Sequence, residues 1–547
     1  MAASHKCRVM KVLPATTIAP GLARGKVWIP KDPLAMSDAE ASAAPRDVTV
    51  ETGRLDRALA QVKSELRAAA EQVSAQMSGE LAGIFTTHEL MLDSFLSSRE
   101  FSSEIESSGI SSELAVRRVF KRWEAKFLRI QNPAFRSKAD DLADLFGKIL
   151  LALRSGTTGT PGNQTPGGRI VVTRRLLPSD VIPMTRETVA GIIVEELGKG
   201  SHAALLVREK GIPTVAAGSQ LFDELRESGE MLVDALREQI ILEPDQASSD
   251  AFNSRLEAYK RSITFCRTLC HEPAATLGGA VVGIMANIGS HETAEAAAQN
   301  GADGVGLFRL EQLYLGRDRP PDSDELFAEL LGILKPLRGK AVTIRLLDIG
   351  GDKLPRFMDR REDRNSLLGR RGVRFLLAHP ELVRRQLKAL LRLSAEMEIK
   401  ILVPLVTLRA DMQAVRTLFD ELAASEGIAA PPPLGAMIET PAAALRLEDL
   451  CEVSDFFSIG SNDLTQYTLA AARENPEVND YYQDTHPAVL GLVKMIVEAA
   501  GSKAVTLCGE LAGREEAIPQ LIALGLRSLS VAPIQIPFVK QQIRTLS

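Results

Sequence analysis

The stretch Leu434-Gly435-Ala436-Met437-Ile438-Glu439-Thr440 offers five residues without a polar side-chain group and then stops on a carboxylate. An unbroken apolar run of that length reads as a strand buried on both faces, the pattern of a parallel sheet covered by helices. Seven further runs of this kind lie beyond Ile263: Val281–Ala286, Gly304–Phe308, Ala341–Leu347, Ile401–Leu405, Phe456–Ile459, Ala504–Leu507 and Ser528–Val531. Helical stretches separate most of them. Eight β–α repeats over about 280 residues match a closed (β/α)8 TIM barrel. A doubly wound open sheet is the alternative, and eight evenly buried strands favour closure.

Working outward, the whole chain has 547 residues, too many for one core, so two to four domains are expected. Hydrophobic residues make up 45% and charged residues 25%, ordinary values for a folded chain. A net charge of −5 gives no electrostatic reason to expect nucleic acid as the main partner. The five cysteines include no CxxC pair, which fits a reducing compartment better than a disulfide framework and offers no zinc spacing. The sequence holds neither an apolar run long enough to span a bilayer nor a secretory signal, so a cytoplasmic protein without membrane insertion is the default.

Residues 50–153 show helical periodicity. Leu55, Leu59, Val62, Leu66 and Ala69 recur at spacings of three and four, and similar stripes run through Ile84–Leu96, Leu114–Ile130 and Leu142–Leu153. Gly79, Gly109 and Pro133 mark the breaks. This reads as a helical bundle. The Gly/Thr/Pro tract 156–168 then gives way to strand-like runs at Arg169–Val172, Gly191–Val194, Thr214–Ala217 and Glu230–Val233. Pairing of these with a small β unit in residues 1–30 would make the bundle an insertion within one β/α domain.

Two constellations carry chemistry. In the first, Gly198-Lys199-Gly200-Ser201-His202 follows the strand-like run Val189–Val194 and precedes an apolar helical stretch. A His in the first turn of a helix meets free N–H groups and a positive dipole end, which suits an imidazole that carries a phosphoryl group. The competing reading is a capping Ser201 beside a structural His. In the second, the C-terminal ends of the barrel strands, where barrel enzymes place their sites, bear Asn287, Arg309, Glu311, Arg345, Asp348, Glu439, Asn462, Asp463, Cys508 and Glu510. Arginines grip phosphate and carboxylate in two-pronged fashion. Paired carboxylates with an open face suit Mg2+. A thiol can hold and deliver a proton. The implied substrate is a small molecule with a phosphate, a carboxylate and an atom that needs protonating, and phosphoenolpyruvate meets all three conditions.

The chain resembles enzyme I of the bacterial phosphoenolpyruvate:sugar phosphotransferase system over nearly its whole length. The resemblance rests on Asp303–Arg309 (DGVGLFR), Asp348–Lys353 (DIGGDK), Asn365–Arg374, Ile438–Ala444 (IETPAAA), Phe456–Thr468 (FFSIGSNDLTQYT) and Cys508–Gly513 (CGELAG). It implies a multidomain α/β architecture. Residues 1–45 and 156–245 would form a swivelling phosphohistidine domain, interrupted by a helical domain at 46–155 that binds the carrier protein HPr. A linker or hinge helix at 246–262 would lead into a phosphoenolpyruvate-binding and dimerisation barrel at 263–547. By the same resemblance His202 is the phosphorylated residue and Cys508 protonates the enolpyruvate carbon. Arg309, Arg345, Lys353, Arg371, Asn462 and Arg473 hold substrate, and Glu439 and Asp463 ligate Mg2+.

Phosphoryl transfer to His202 and then to a protein requires motion between a pocket and a surface, with the polar segment Leu242–Ala251 as hinge candidate or ordinary connection. Some positions depart from the family pattern. Leu197 and Gly200 replace a Gly and a Thr before the histidine, and Leu310 and Leu346 stand where Thr is usual after two arginines. Ser366 and Arg370 replace a Pro and an aromatic, and the longer helical tail common in the family is not expected after Ser547. No additional N-terminal sensory domain is expected either, which disfavours the nitrogen-branch relative. The substitutions near His202 and the two Leu replacements motivate an alternative: a catalytically weak, regulatory phosphoenolpyruvate-sensing or partner-binding protein. A dikinase charged from ATP would need a nucleotide-binding domain for which no segment is spare. The stripe around His88, Met91 and Leu92 is either a partner surface or bundle core.

Overall fold

The computed structural model describes residues 10–30, 47–76, 79–129, 133–155, 167–198, 201–224, 229–314, 317, 319–350, 367–473, 478 and 480–547. The chain divides into two compact units, the first within residues 1–262 and the second over Ile263–Ser547.

The first unit carries a mixed sheet of β1 (Lys11–Pro14), β2 (Thr16–Ala19), β3 (Leu22–Trp28), β4 (Arg169–Thr173), β5 (Val189–Val194), β6 (Thr214–Ala216), β7 (Glu230–Asp234) and β8 (Gln239–Leu242). Their order is β1-β8-β7-β3-β4-β5-β6-β2. The middle, β3 to β6, is parallel, and its flanks are antiparallel. Ile170, Val172, Ile193, Val215 and Val233 build the core beneath it.

Between β3 and β4 run helices α1 (Val48–Gln76), α2 (Gly79–Ser98), α3 (Glu100–Ser108), α4 (Ser112–Arg129) and α5 (Pro133–Ser155), so the bundle interrupts the β/α domain. Leu55, Leu59, Val62 and Leu66, the stripe legible in the sequence, are all buried. Phe95, Phe101, Phe120 and Phe146 pack with ring centroids 5.2–5.5 Å apart, in the tilted and edge-on arrangements that aromatic quadrupoles favour. His88 and Leu92 are fully buried, so they belong to the bundle core, not to an exposed partner surface. His88 lies between two carboxylates, with Nε2 3.3 Å from Asp141 and Nδ1 3.8 Å from Asp144.

The second unit is the barrel. Its strands are β10 (Val281–Ile288), β11 (Val305–Arg309), β12 (Val342–Arg345), β13 (Ile399–Val403), β14 (Leu434–Ile438), β15 (Phe457–Gly460), β16 (Val505–Cys508) and β17 (Ser528–Val531), with the short β9 (Ala274–Ala275) antiparallel to β10. Each pairs in parallel with the next, and β10 pairs with both β11 and β17, which closes the cylinder. All eight strands read from the sequence are present. Alternate side chains fill the two sides of the closed sheet. Val342 and Ile344 of β12 pack outward against helices, while Thr343 and Arg345 face the interior. The first and last strands are also locked by side chains, since Asn287 Nδ2 donates to Ser530 O at 3.1 Å and Ser530 Oγ donates back to Asn287 Oδ1 at 2.7 Å. Asn287 is thereby committed to closing the cylinder.

Candidate functional site

Strand polarity delivers the chemistry to one rim. Arg309 and Arg345 are register partners and the last residues of β11 and β12. Glu439 immediately follows β14, and Asn462 and Asp463 open helix Ser461–Leu469 directly after β15. Cys508 ends β16. The turn after it requires glycine: Gly509 has φ +107°, and a Cβ there would collide with the Ser461 hydroxyl.

Arg345 is largely buried and thoroughly engaged. Its Nη2 donates to Glu311 Oε1 at 3.0 Å, and Nη1 lies 3.3 Å from Asp348 Oδ2. Its Nε is buried and meets no hydrogen-bond partner among the described residues. Arg371 bridges two acids, with Nη2 2.9 Å from both Asp348 Oδ2 and Asp463 Oδ2. Burial works against the charge of both guanidiniums, but the facing carboxylates outweigh it and hold them firmly protonated. Tyr467 lies beside this pair, 3.5 Å from Arg371 Nη1, and its hydroxyl donates to Leu367 O.

Asp348, Glu439 and Asp463 form a cluster whose ligand atoms lie within 4.8 Å of one another. Asp348 is a third carboxylate that the sequence placed on the rim without assigning it to the metal. Glu439 is 2% exposed and is pushed up to about 8 by burial and by the charges of Asp463 and Asp348. Three converging carboxylates, one of them unable to ionise easily alone, form an all-oxygen donor set that fits a hard divalent cation such as Mg2+. Gly460 leaves the room, because a Cβ there would stand 2.5 Å from Glu439 Oε2.

Cys508 is 1% exposed. Its Sγ lies 3.2 Å from Ile459 O and 3.5 Å from Ser458 Oγ. Burial pushes the thiol up to about 11, with the Ser458 hydroxyl pulling the other way, so it carries its proton at neutral pH. Asn462 is held through its side chain by the Glu510 amide, which donates to Oδ1 at 3.0 Å, and through its carbonyl by the Tyr482 hydroxyl at 3.2 Å. Arg473 follows the same helix, its backbone N–H donating to Gln466 Oε1 at 3.1 Å.

Of the residues singled out in the sequence, the barrel thus gathers Arg345, Arg371, Glu439 and Asp463 into one contact network, with Arg309, Asn462 and Cys508 on the same rim. Lys353 lies outside the described residues. Leu310 and Leu346 are fully buried in the main core cluster. In the first unit, His202 opens helix α6 (His202–Glu209) after an extended Ser201, whose Oγ caps the helix by accepting from Ala204 N–H at 3.3 Å. Among the described residues, no helix is long and apolar enough to cross a membrane.

Comparison with known proteins agrees with this layout. The PEP-utilising enzyme, PEP-binding domain matches residues 266–547, the PEP-utilising enzyme N-terminal domain residues 14–138 and the PEP-utilising enzyme mobile domain residues 165–238. The phosphoenolpyruvate-protein phosphotransferase of Geobacillus stearothermophilus is 33% identical over 512 residues, covering 92% of this chain and 88% of the relative. Those of Bacillus sp. (strain S) and Bacillus subtilis (strain 168) are each 32% identical, covering 98% and 92% of this chain and 93% and 89% of the relatives. With the PEP-binding domain matched over residues 266–547 and a relative 33% identical over 92% of this chain, the chain belongs to the family of phosphoenolpyruvate-protein phosphotransferases.

Proposed function

We propose that this protein takes the phosphoryl group of phosphoenolpyruvate onto His202, releases pyruvate, and passes the phosphoryl group to a histidine of an HPr-type carrier protein. The observation that carries the reading is the shared rim of Arg345, Arg371, Asp348, Glu439, Asp463 and Cys508. It offers cationic donors, a divalent-metal cluster and a protonated thiol where a phosphorylated enol acid needs them.

In this reading Arg309, Arg345, Arg371 and Arg473 hold the substrate phosphate and carboxylate, with Asn462 and Lys353 in support. The unclaimed Nε–H of Arg345 is the donor a substrate oxyanion meets on arrival. Glu439 and Asp463, with Asp348 beside them, would hold Mg2+, which would supply charge neutralisation for the substrate oxygens. The neutral imidazole of His202 attacks phosphorus, and the bond to the enol oxygen breaks. Cys508 then gives its proton to the methylene carbon, completing the methyl group of pyruvate, and the thiolate recovers a proton from water. A thiol that stays protonated at neutral pH suits that role.

His202 sits in the first unit and the rim in the second, so the segment between β8 and the helix Gln246–Thr268 is the proposed hinge. A cytoplasmic location and pairing of two copies through the barrel belong to the same reading, the latter testable by sedimentation. The test is incubation with phosphoenolpyruvate and Mg2+. The expected outcome is pyruvate release and an acid-labile phosphate that His202→Ala abolishes, with further turnover when a carrier protein is added. Ligand binding without label or pyruvate would favour the sensor.

A further inference from the structure

We propose that Glu311 is a positioning residue that fixes the substrate-gripping Arg345 and the metal-side Asp348 with a single oxygen. The proposal rests on the reading of the rim as the phosphoenolpyruvate site. Glu311 lies in the tight turn Leu310–Leu313 that directly follows β11. Its Oε1 accepts from Arg345 Nη2 at 3.0 Å and from the backbone N–H of Asp348 at 2.7 Å. Its Oε2 is buried without a hydrogen-bond partner among the described residues.

That asymmetry argues against simple charge balance. A buried carboxylate gains most when both oxygens are paired, and leaving one unpaired carries a desolvation cost. Here one oxygen does two things at once. It pins one corner of the Arg345 guanidinium, so the plane of the fork, and with it the unclaimed Nε–H, is set. It also pins the amide of Asp348, whose carboxylate faces Arg371 and the cation cluster. One atom thereby sets the spacing between the group that receives substrate oxygen and the group beside the metal. Such shared anchoring matters because small misplacements in a phosphoryl-transfer site cost rate steeply.

Geometry and charge make opposite predictions for two conservative variants. Glu311→Gln keeps an oxygen at the same reach and removes the charge. Glu311→Asp keeps the charge and withdraws the oxygen by one methylene. The full chain carrying His202→Ala is titrated with phosphoenolpyruvate at fixed Mg2+, and with Mg2+ alone, by calorimetry; the His202-intact proteins are assayed for pyruvate release. Glu311→Asp should weaken phosphoenolpyruvate binding about 10-fold or more, the equivalent of one lost charge-assisted hydrogen bond, and raise the Mg2+ requirement, at an unchanged number of sites per folded molecule. Glu311→Gln should stay within about threefold of the parent for both ligands. Parent-like binding by Glu311→Asp, or an equal loss in both variants, overturns the proposal. A parent chain that neither binds phosphoenolpyruvate nor releases pyruvate overturns the rim reading and this proposal together, whereas an active parent with an indifferent Glu311→Asp overturns the positioning role alone.

Discussion

Arg371 Nη2 stands 2.9 Å from Asp463 Oδ2 and at the same distance from Asp348 Oδ2, so a guanidinium occupies the edge of the cluster read here as the Mg2+ site. The arginine therefore has two effects of opposite sign. It supplies charge for a substrate phosphate, and it competes with a divalent cation for two carboxylates. Arg371→Ala should weaken phosphoenolpyruvate binding by about 10–100-fold, the range for losing one or two charge-assisted hydrogen bonds. The same variant should bind Mg2+ more tightly than the parent, because Asp348 and Asp463 lose the guanidinium they share, and only Arg345 remains paired with Asp348. Separate titrations with the two ligands check this. Parallel weakening of both would show that Arg371 holds the site together and does not compete for it.

Glu439 gives the site a pH signature. Burial, then Asp463 and Asp348, push its carboxyl up to about 8. Between the ordinary glutamate range and that value the metal-free folded state holds a proton that the unfolded state has released. Stability should therefore fall as pH rises through this window. Mg2+ binding should expel that proton. Calorimetric titration of Mg2+ at pH 7 in buffers of different ionisation heat should show close to one proton released, and Glu439→Gln should abolish the release. Mg2+ should also raise the melting temperature more at pH 8 than at pH 6. Equal stabilisation at both values would remove Glu439 from the metal site.

The uneven legibility of this chain has a physical cause. Barrel strands such as β14 are apolar throughout because both faces are covered, so they stand out in one sequence. Strand polarity then places residues such as Glu439 and Cys508 on one rim. What the sequence left open depends on backbone that folds back over the rim. Asp348 lies three residues past the end of β12, and its place in the carboxylate cluster follows from a local turn that Glu311 pins through the amide. No periodicity reports that bond. Leu310 and Leu346 each directly follow a rim arginine, yet both side chains are buried in the main core cluster. His88 was open for a similar reason: helical spacing shows a stripe but not which neighbour covers it.

Ser458 should tune the Cys508 thiol, the proposed acid. Its hydroxyl lies 3.5 Å from Cys508 Sγ, whereas the other close polar atom, Ile459 O at 3.2 Å, can only accept. The hydroxyl is thus a donor available to the thiolate left after proton transfer. Ser458→Ala should raise the thiol above its value of about 11, seen as a later onset of thiolate absorbance on alkaline titration. It should also slow pyruvate release without changing phosphoenolpyruvate affinity. Cys508→Ala should slow release by about 100–10,000-fold, the usual range for a lost general acid. An unchanged thiol titration in Ser458→Ala would mean that the hydroxyl takes no part.

At the opposite end of the barrel, Lys540 of the terminal helix Ile536–Arg544 is fully buried, and its Nζ lies 2.6 Å from Asp303 Oδ1. The pair is asymmetric: the aspartate side chain is 32% exposed, and its second oxygen accepts from Ile284 N–H at 2.8 Å. Removing either partner strands the other, but the two leftovers differ. Asp303→Ala leaves an ammonium in the core without its counter-charge, which should cost about 3–5 kcal/mol. Lys540→Met leaves a carboxylate that still has water and an amide, and fills the apolar space, so about 1–2 kcal/mol is expected. Urea unfolding followed by a signal from the barrel separates these values. A Lys540→Met variant less stable than Asp303→Ala would show that the lysine stem contributes more through packing than the pair does through charge.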